Sequence, residues 1–462
     1  MKSKVIDYKQ FYFIGIGGIG MSALARYFKA LGQKVCGYDK TPSELTEALI
    51  SEGCTIHFED SIKKIPKSFL NNKDTLVVYT PAIPEEHKEF NYFKMNGFTI
   101  LKRSEVLGLI TRFSKSLCVA GTHGKTTTSA MLAHALNESS LKCTAFLGGI
   151  SSNFNSNVLI NKSSEWTVVE ADEFDRSFLQ LSPYCSIITS MDPDHLDIYG
   201  DERHFNEGFR QYAMKIDPNG WCISKEGVQL HTLGNFCTFN IDSETADYSA
   251  QDISFENGMM TFYVNSKKYV SKKFFLGIPG IHNVLNALSC IVLLEKIGMS
   301  YQEIKHGLST FKGVKRRFDI QIKTDQLVYI DDYAHHPEEL RLFIDSIKMM
   351  FPDKEITGIF QPHLYSRTRD FGMEFSEQLS RFDELFLLPI YAAREKEIIG
   401  ISSDWLLSKI DLKKKQVAEA TEVLELLKKT TNGIVLTIGA GDIDKIVSPL
   451  KNILLENLDI EL

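Results

Sequence analysis

The sequence predicts an α/β protein laid out in three successive blocks. Three observations carry that expectation. Short apolar runs alternate with amphipathic stretches of helical length along most of the chain, a pattern that implies parallel sheets with crossover helices. Two of those runs end in glycine-bearing turns that lead straight into a helix. The length, 462 residues, suits several domains at about 100–200 residues each.

The first block, 1–107, opens with an apolar strand at Phe11–Ile14, a glycine turn and a helix over Met21–Leu31. Strands at Lys34–Tyr38 and Thr75–Tyr79 follow. The second block, 108–315, has its first strand at Ser116–Ala120 and further strands at Trp166–Val169 and Ser186–Thr189. Between Trp221 and Phe275 short alternating segments and many turn residues suggest an antiparallel excursion, and a helix over Asn283–Ile297 closes the block. The third block, 316–462, holds strands at Leu327–Ile330, Ile356–Phe360, Glu384–Leu388 and Gly433–Thr437. No internal repeat or low-complexity segment interrupts the chain.

Composition excludes some classes. Hydrophobic residues make up 43% and charged residues 24%, as in ordinary globular proteins. The net charge of −7, with scattered cations, does not suit a nucleic-acid binder. No uncharged apolar run is long enough to span a bilayer, and the opening MKSKVIDYKQ lacks the features of a signal peptide. The eight cysteines form no CxxC pair and read as buried thiols in a reducing compartment, so a cytoplasmic protein is expected.

Three motifs carry chemistry. Gly15-Ile-Gly17-Gly18-Ile-Gly20 joins a strand to a helix, where backbone N–H groups and the helix N-terminus favour a pyrophosphate. Asp39 ends the next strand, where a ribose-binding acid would sit; taken alone, the motif is that of a dinucleotide-dependent oxidoreductase. Gly121-Thr122-His123-Gly124-Lys125-Thr126-Thr127-Thr128 has the strand–loop–helix setting of a P-loop and makes ATP the favoured nucleotide. Glu170-Ala171-Asp172-Glu173 ends a strand, and Asp192-Pro193-Asp194-His195 follows another; carboxylates and a histidine there suit Mg²⁺. Asp172 and Glu173 taken singly also read as a solvated turn.

The short GTHGKTTT loop, the EADE run and the DHLD run together resemble the Mur ligase family, over essentially the whole chain. The segments GIGGIGMSALA, DDYAHHP, QPHLYSRTRD and GAGDID resemble its alanine-adding members. The resemblance implies a Rossmann-like UDP-binding domain, a central P-loop ATPase-like domain and a C-terminal Rossmann-like domain. It implies ATP and Mg²⁺ (or Mn²⁺) as cofactors, UDP-N-acetylmuramate and L-alanine as substrates, no nucleic acid or membrane partner, and a monomer or homodimer. Gly15, Gly17, Gly18, Gly20, Asp39, Thr80 and Arg103 would then line the UDP-sugar site. Gly121 to Thr127, Asn283, Arg317 and Asp331 would contact ATP; Thr126, Glu170 and His195 would hold the metal; Lys125, His195 and Arg317 would serve catalysis. Tyr333, His335, His363 and Arg367 would handle the amino acid.

Three positions depart from that pattern. Ser190 stands where many relatives have Asn. Leu364 stands where some have Arg, with Arg369 as a candidate substitute. The segment Phe209-Arg210-Gln211 lacks the lysine that other Mur ligases carbamylate, which is itself a trait of the alanine-adding type. The implied chemistry is phosphorylation of the sugar's lactyl carboxylate by ATP, then attack of the amine on the acyl phosphate. A murein-recycling ligase that attaches a tripeptide to the same sugar is the nearest alternative; an oxidoreductase leaves the P-loop without a role, and a non-catalytic scaffold leaves Lys125, Glu170 and His195 without one.

Overall fold

Among the residues described by the computed structural model, 8–193, 196–256, 258–393 and 395–458, the strands fall into sheets of five, ten and six. The five-stranded sheet comprises β1 (Gln10–Ile14), β2 (Lys34–Tyr38), β3 (Thr55–His57), β4 (Thr75–Tyr79) and β5 (Thr99–Lys102), all parallel, in the order β3-β2-β1-β4-β5. Helices α1 (Ile19–Ala30), α2 (Glu44–Ser51), α3 (Lys88–Met95) and α4 (Arg103–Thr111) accompany it. On β1, Phe11 and Phe13 enter one apolar cluster while Tyr12 and Ile14 enter another, so both faces of the strand are covered. Strand order reverses between β1 and β4, which opens a crevice at their C-terminal ends.

The ten-stranded sheet begins with β6 (Lys115–Ala120), β7 (Thr144–Ser151), β8 (Ser156–Leu159), β9 (Trp166–Glu170) and β10 (Cys185–Ile188). It continues through β11 (Trp221–Lys225), β12 (Asn235–Ile241), β13 (Tyr248–Glu256), β14 (Met259–Ser266) and β15 (Lys272–Leu276). Its helices are α5 (Lys125–Asn137), α6 (Leu196–Tyr199), α7 (Glu202–Ala213), α8 (Ile281–Lys296) and α9 (Tyr301–Ser309). β6 lies between β9 and β10, parallel to both. The excursion expected over 221–275 takes a different form in its first part, where β11, β12 and β13 pair in parallel and prolong the central sheet; the contacts of Ser254 with Thr261 and of Gln251 with Asn265 run β14 back along β13 as an antiparallel pair. Period-two alternation reports one covered face and says nothing of strand direction. Close backbone approach at this point needs a glycine, since a Cβ on Gly220 would sit 1.6 Å from the Tyr184 carbonyl oxygen.

The six-stranded sheet has β16 (Asp319–Lys323) antiparallel to β17 (Leu327–Asp332) at one edge. β18 (Ile356–Phe360), β19 (Glu384–Leu387), β20 (Lys415–Val417) and β21 (Gly433–Ile438) complete it in the order β16-β17-β21-β18-β19-β20, with the remaining pairs parallel. Helices α10 (Pro337–Met350), α11 (Tyr365–Asp370), α12 (Gly372–Leu379), α13 (Ser403–Leu407), α14 (Ala420–Leu426) and α15 (Asp444–Asn457) belong with it. Val328 and Ile330 face one core and Leu327 and Tyr329 the other. The chain divides into two compact units. The first holds the five-stranded sheet and most of the ten-stranded one; the second holds the six-stranded sheet.

Within the first unit, a fully buried amide fastens the two sheets together. Asn157 on β8 donates from Nδ2 to the Ile19 carbonyl (2.6 Å) and to Ser22 Oγ (2.8 Å), both on α1. Its Oδ1 accepts from Arg26 Nη1 (2.5 Å), and Arg26 also pairs with Glu52. Asn157→Ala removes its hydrogen bonds to Ile19, Ser22 and Arg26 from a buried position, at a cost of about 2–3 kcal/mol. Hydrogen exchange of the α1 amides should accelerate sharply while the six-stranded sheet exchanges as before; unchanged α1 protection would show that the amide is not the fastening.

Candidate active site

The first half of the site forms where β1 and β4 end. The Gly17 N–H donates to Asp39 Oδ2 (2.7 Å), and Asp39 Oδ1 accepts from the Lys40 N–H (2.7 Å), so the acid at the end of β2 braces the glycine turn. Gly15 and Gly20 lie so close to Thr80 and Arg103 that a Cβ would meet either side chain at 2.6 Å. Gly18 caps α1, whose N-terminus faces a cavity of about 270 Å³. Gly18, Gly20, Thr80 and Arg103 line it together with Glu170 and Asp172 from the end of β9. Arg103 Nη2 stands 3.7 Å from Asp172 Oδ2. The first motif and the acidic run therefore open onto one space.

The second half is the loop from β6 to α5. Gly121 has φ +129°, and a Cβ there would lie 2.1 Å from Thr189 Oγ1; no other residue fits this turn. Thr122 Oγ1 donates to the Asp192 carbonyl (2.6 Å) and Thr189 Oγ1 to the His123 carbonyl (2.5 Å). The His123 N–H donates to Ser190 Oγ (3.1 Å), so the serine found in place of asparagine still holds the loop. Thr126 Oγ1 donates to Glu170 Oε1 (3.1 Å), and Glu170 Oε2 accepts from the Gly148 N–H (3.0 Å). Thr127 is buried in the same first turn of α5. Asn283 is buried in the first turn of α8 and accepts from Asn286 Nδ2 (3.3 Å). Asn286, which the motifs did not single out, abuts Gly124.

Lys125 turns back into the loop. Its Nζ donates to the carbonyls of Gly121 (2.7 Å) and Thr122 (3.2 Å) and to Glu173 Oε1 (2.8 Å). Burial opposes its charge, but the carboxylates of Glu173, Asp172 and Glu170 outweigh that and hold the ammonium above the ordinary lysine range. Glu173 is not part of a solvated turn: it is 1% exposed, and burial raises its carboxyl to about 7 against the pull of Lys125. A one-dimensional acidic run conceals this because neighbouring acids point different ways after the strand ends. His195 lies outside the described residues. Phe209, in the segment without a carbamylatable lysine, is buried against Phe178 and Phe205.

In the second unit the four residues expected at the amine side come together. Tyr333 and His335 have ring centroids 5.4 Å apart, and His335 and His363 5.8 Å. Arg367 Nη1 lies 3.3 Å from His363 Nδ1, and His363 stacks on Tyr391 at 5.7 Å. Arg317 lies over the Tyr333 ring at 4.8 Å and 4.0 Å from Glu339. Asp331, expected at the nucleotide, is engaged within its own sheet. It is fully buried, accepts from Thr437 Oγ1 (2.7 Å) and pairs with Arg316 (3.3 Å). A charge on a strand between two covered faces needs an internal partner, and Arg316 supplies it. Arg369 pairs with Asp370 (2.7 Å) at an exposed position and is already engaged there. Among the described residues, no helix is long and apolar enough to cross a membrane.

Comparison with known proteins agrees along the chain. Residues 10–115 match the model of the Mur ligase family catalytic domain, 119–294 that of the Mur ligase middle domain, and 316–441 that of the Mur ligase glutamate ligase domain. UDP-N-acetylmuramate–L-alanine ligase of Phocaeicola vulgatus is 48% identical over 452 residues, 96% of this chain and 98% of the relative. The enzyme of that name from Flavobacterium psychrophilum is 49% identical over 95% of this chain and 97% of its own. Among solved structures, UDP-N-acetylmuramate–alanine ligase MurC of Thermotoga maritima superposes with a TM-score of 0.82 at 28% identity, covering 97% of this chain and 99% of that one. MurF ligase of Thermotoga maritima in complex with ADP, at 16% identity and a TM-score of 0.62 over 84% of this chain and 97% of that one, shares the fold.

The partly enclosed ring of His335 makes a pH prediction. Burial lowers His335 from 6.5 to about 4, despite Glu339 beside it at 3.3 Å. Folded chains therefore keep this ring neutral where unfolded chains have protonated it. Its contribution is present above about pH 6.5 and lost as pH falls toward 4. The stability of the wild type relative to His335→Gln should shrink across that window by roughly 2–3 kcal/mol. Denaturant unfolding of both proteins at stepped pH measures it; a pH-independent difference would mean the ring titrates normally in the fold.

Proposed function

The chain belongs to the Mur ligase family, and we propose that it is an alanine-adding member, joining L-alanine to the lactyl carboxylate of UDP-N-acetylmuramate with ATP as the energy source. One observation carries this reading: the cavity that unites the first glycine turn and Arg103 with Glu170 and Asp172, beside the P-loop. A sugar held by its UDP at the α1 N-terminus can present a carboxylate there, near the loop that takes the ATP phosphates. The names of full-length relatives nearly half identical to this chain support the alanine specificity.

A carboxylate does not acylate an amine unaided at neutral pH. Phosphorylation makes it an acyl phosphate, and the amine then displaces phosphate. The chain's part is positioning and charge neutralisation. Gly15, Gly17, Gly18 and Gly20 hold UDP, with Asp39 shaping the turn and Thr80 and Arg103 the sugar side. Backbone N–H groups from Gly121 to Thr127 cradle the phosphates, Lys125 supplies a cation, and Asn283 serves the nucleotide. In the second unit Arg317 neutralises developing charge, and Tyr333, His335, His363 and Arg367 receive the amino acid. We assign the three domains to 1–107, 108–315 and 316–462, in keeping with sheet membership. The eight buried thiols suit the cytoplasm, our proposed location.

The donor set fits Mg²⁺. A hydroxyl and a carboxylate, Thr126 and Glu170, stand 3.1 Å apart at the loop. Thr126, Glu170 and His195 would hold it, and it would neutralise charge on the transferring phosphoryl group.

Phosphate release from ATP should require UDP-N-acetylmuramate and L-alanine together, with a tripeptide in place of alanine much less effective. Lys125→Ala should abolish release, by at least about a hundredfold, without unfolding the protein. Preference for the tripeptide in side-by-side assays would establish the recycling ligase instead. Arg367→Lys should raise the KM for alanine more than that for ATP, because an ammonium cannot pair with a carboxylate in bidentate fashion. Equal effects on both would remove Arg367 from the amine site.

A further inference from the structure

We propose that Glu173 is a positioning residue that acts through Lys125: its carboxylate fixes the direction of the loop ammonium, and incoming phosphate competes with it for that ammonium. This rests on the reading of Gly121–Thr127 as the nucleotide loop. Two acids three residues apart divide the work at the end of β9. Glu170 faces Thr126 and the Gly148 N–H, while Glu173 faces Lys125 at 2.8 Å. The pair is enclosed, with side chains 14% and 1% exposed.

The main chain that carries Glu173 is held on both sides of the residue. Tyr199 Oη donates to the Glu173 carbonyl (2.7 Å), and the Arg176 N–H donates to the same carbonyl (3.0 Å). The Phe178 N–H donates to the Asp172 carbonyl (2.9 Å), and the Arg176 guanidinium lies over the Tyr199 ring at 5.2 Å. Asp175 and Arg176, at φ +51° and +53°, turn the chain sharply to allow this. A surface carboxylate meeting a lysine by chance would not stand on a main chain fixed in this way. Lys125 leaves the first residue of α5 and reaches back over its own loop, where the Gly121 and Thr122 carbonyls supply only dipoles. Glu173 supplies the ionic contact that chooses this rotamer.

Removing the charge while keeping an acceptor separates binding from turnover. Glu173→Gln takes an anion away from a polyphosphate site and ends the competition, so ADP should bind tighter, by roughly three- to tenfold. The ammonium loses its ionic guide, so kcat should fall by about tenfold or more. In a Lys125→Met background, Glu173→Gln should change ADP affinity far less, because the interaction it alters is gone.

Calorimetry with ADP on the full chain tests the binding arm without sugar or amine, and phosphate release tests turnover. A residue with a purely structural role would lower the folded fraction and leave the Kd of the folded molecules unchanged. Unchanged or weaker ADP binding in Glu173→Gln, or equal effects with and without Lys125, overturns the proposal. If Glu173→Gln does not fold, Glu173→Asp carries the test, with the carboxylate drawn back by one methylene and the same split expected at smaller size; parallel changes in Kd and kcat would overturn it. Wild-type ADP binding without amine-dependent turnover would instead refute the proposed ligase reaction and leave this arm intact.

Discussion

The arrangement of the first unit depends on the buried amide of Asn157. Two sheets with separate hydrogen-bond ladders have no intrinsic reason to keep a fixed relation. Apolar packing between α1 and β7–β8 supplies attraction without direction. Asn157 adds direction, since its two Nδ2 contacts fall on the first turn of α1, at Ile19 and Ser22. That turn is also where Gly18 and Gly20 line the cavity. The helix N-terminus that would receive a pyrophosphate is thereby referenced to the same sheet that carries Glu170 and the P-loop. A shift of about 1 Å in a substrate-positioning element is enough to lose much of a proximity effect, so the fastening lies where precision matters most.

A second constraint is electrostatic. The acids at the end of β9 stand beside the loop proposed to take polyphosphate, and unpartnered they would repel it. The structure gives each one a partner: Glu170 takes Thr126 and a backbone N–H, Asp172 faces Arg103, and Glu173 takes Lys125. The same acids keep Lys125 charged despite its burial. The second unit repeats the principle with Asp331 and Asp332, adjacent on β17 and pointing to opposite faces. Asp331 is matched by Arg316 and Thr437, and Asp332 by the N–H groups of Phe318 and Ala334.

The elements that sequence patterning located best are those whose residues are buried on two faces. Lys34–Tyr38, Thr75–Tyr79 and Ile356–Phe360 are strands with the expected bounds, because near-continuous apolar runs ended by turn residues leave little choice. The parallel direction of β11, β12 and β13 was not legible, since alternation along a strand reports a covered face and not which way the neighbouring strand runs. The glycine turns were legible because spacing and residue type coincide with a strand-to-helix turn, whereas the grouping of Tyr333, His335, His363 and Arg367 was expected from the family resemblance alone. Asp331 and Glu173 were not legible, because an acid's burial is set by the strand it leaves and by cations elsewhere. Arg316 shows the difficulty: it sits beside Arg317 in sequence and both lie over the Tyr333 ring, yet it bonds to Asp331 and the Gly439 carbonyl while Arg317 faces Glu339.

Leu364 shows how backbone geometry and side-chain identity come apart at the amine side. The residue has φ +70° and ψ 135°, a conformation that costs a non-glycine residue about 1–3 kcal/mol. A leucine side chain gains nothing obvious from it. The surrounding hydrogen bonds explain it: the Leu364 N–H donates to the Tyr391 carbonyl (2.9 Å), and the Leu364 carbonyl accepts from the N–H (3.1 Å) and Oγ1 (2.8 Å) of Thr368. These contacts start α11 in the direction that brings Arg367 within 3.3 Å of His363 and lays His363 against Tyr391. The strain therefore belongs to the placement of the histidine and the arginine, whatever side chain occupies position 364. Leucine, where some relatives have arginine, leaves that placement intact, in keeping with the proposal that Arg367 meets the amino-acid carboxylate.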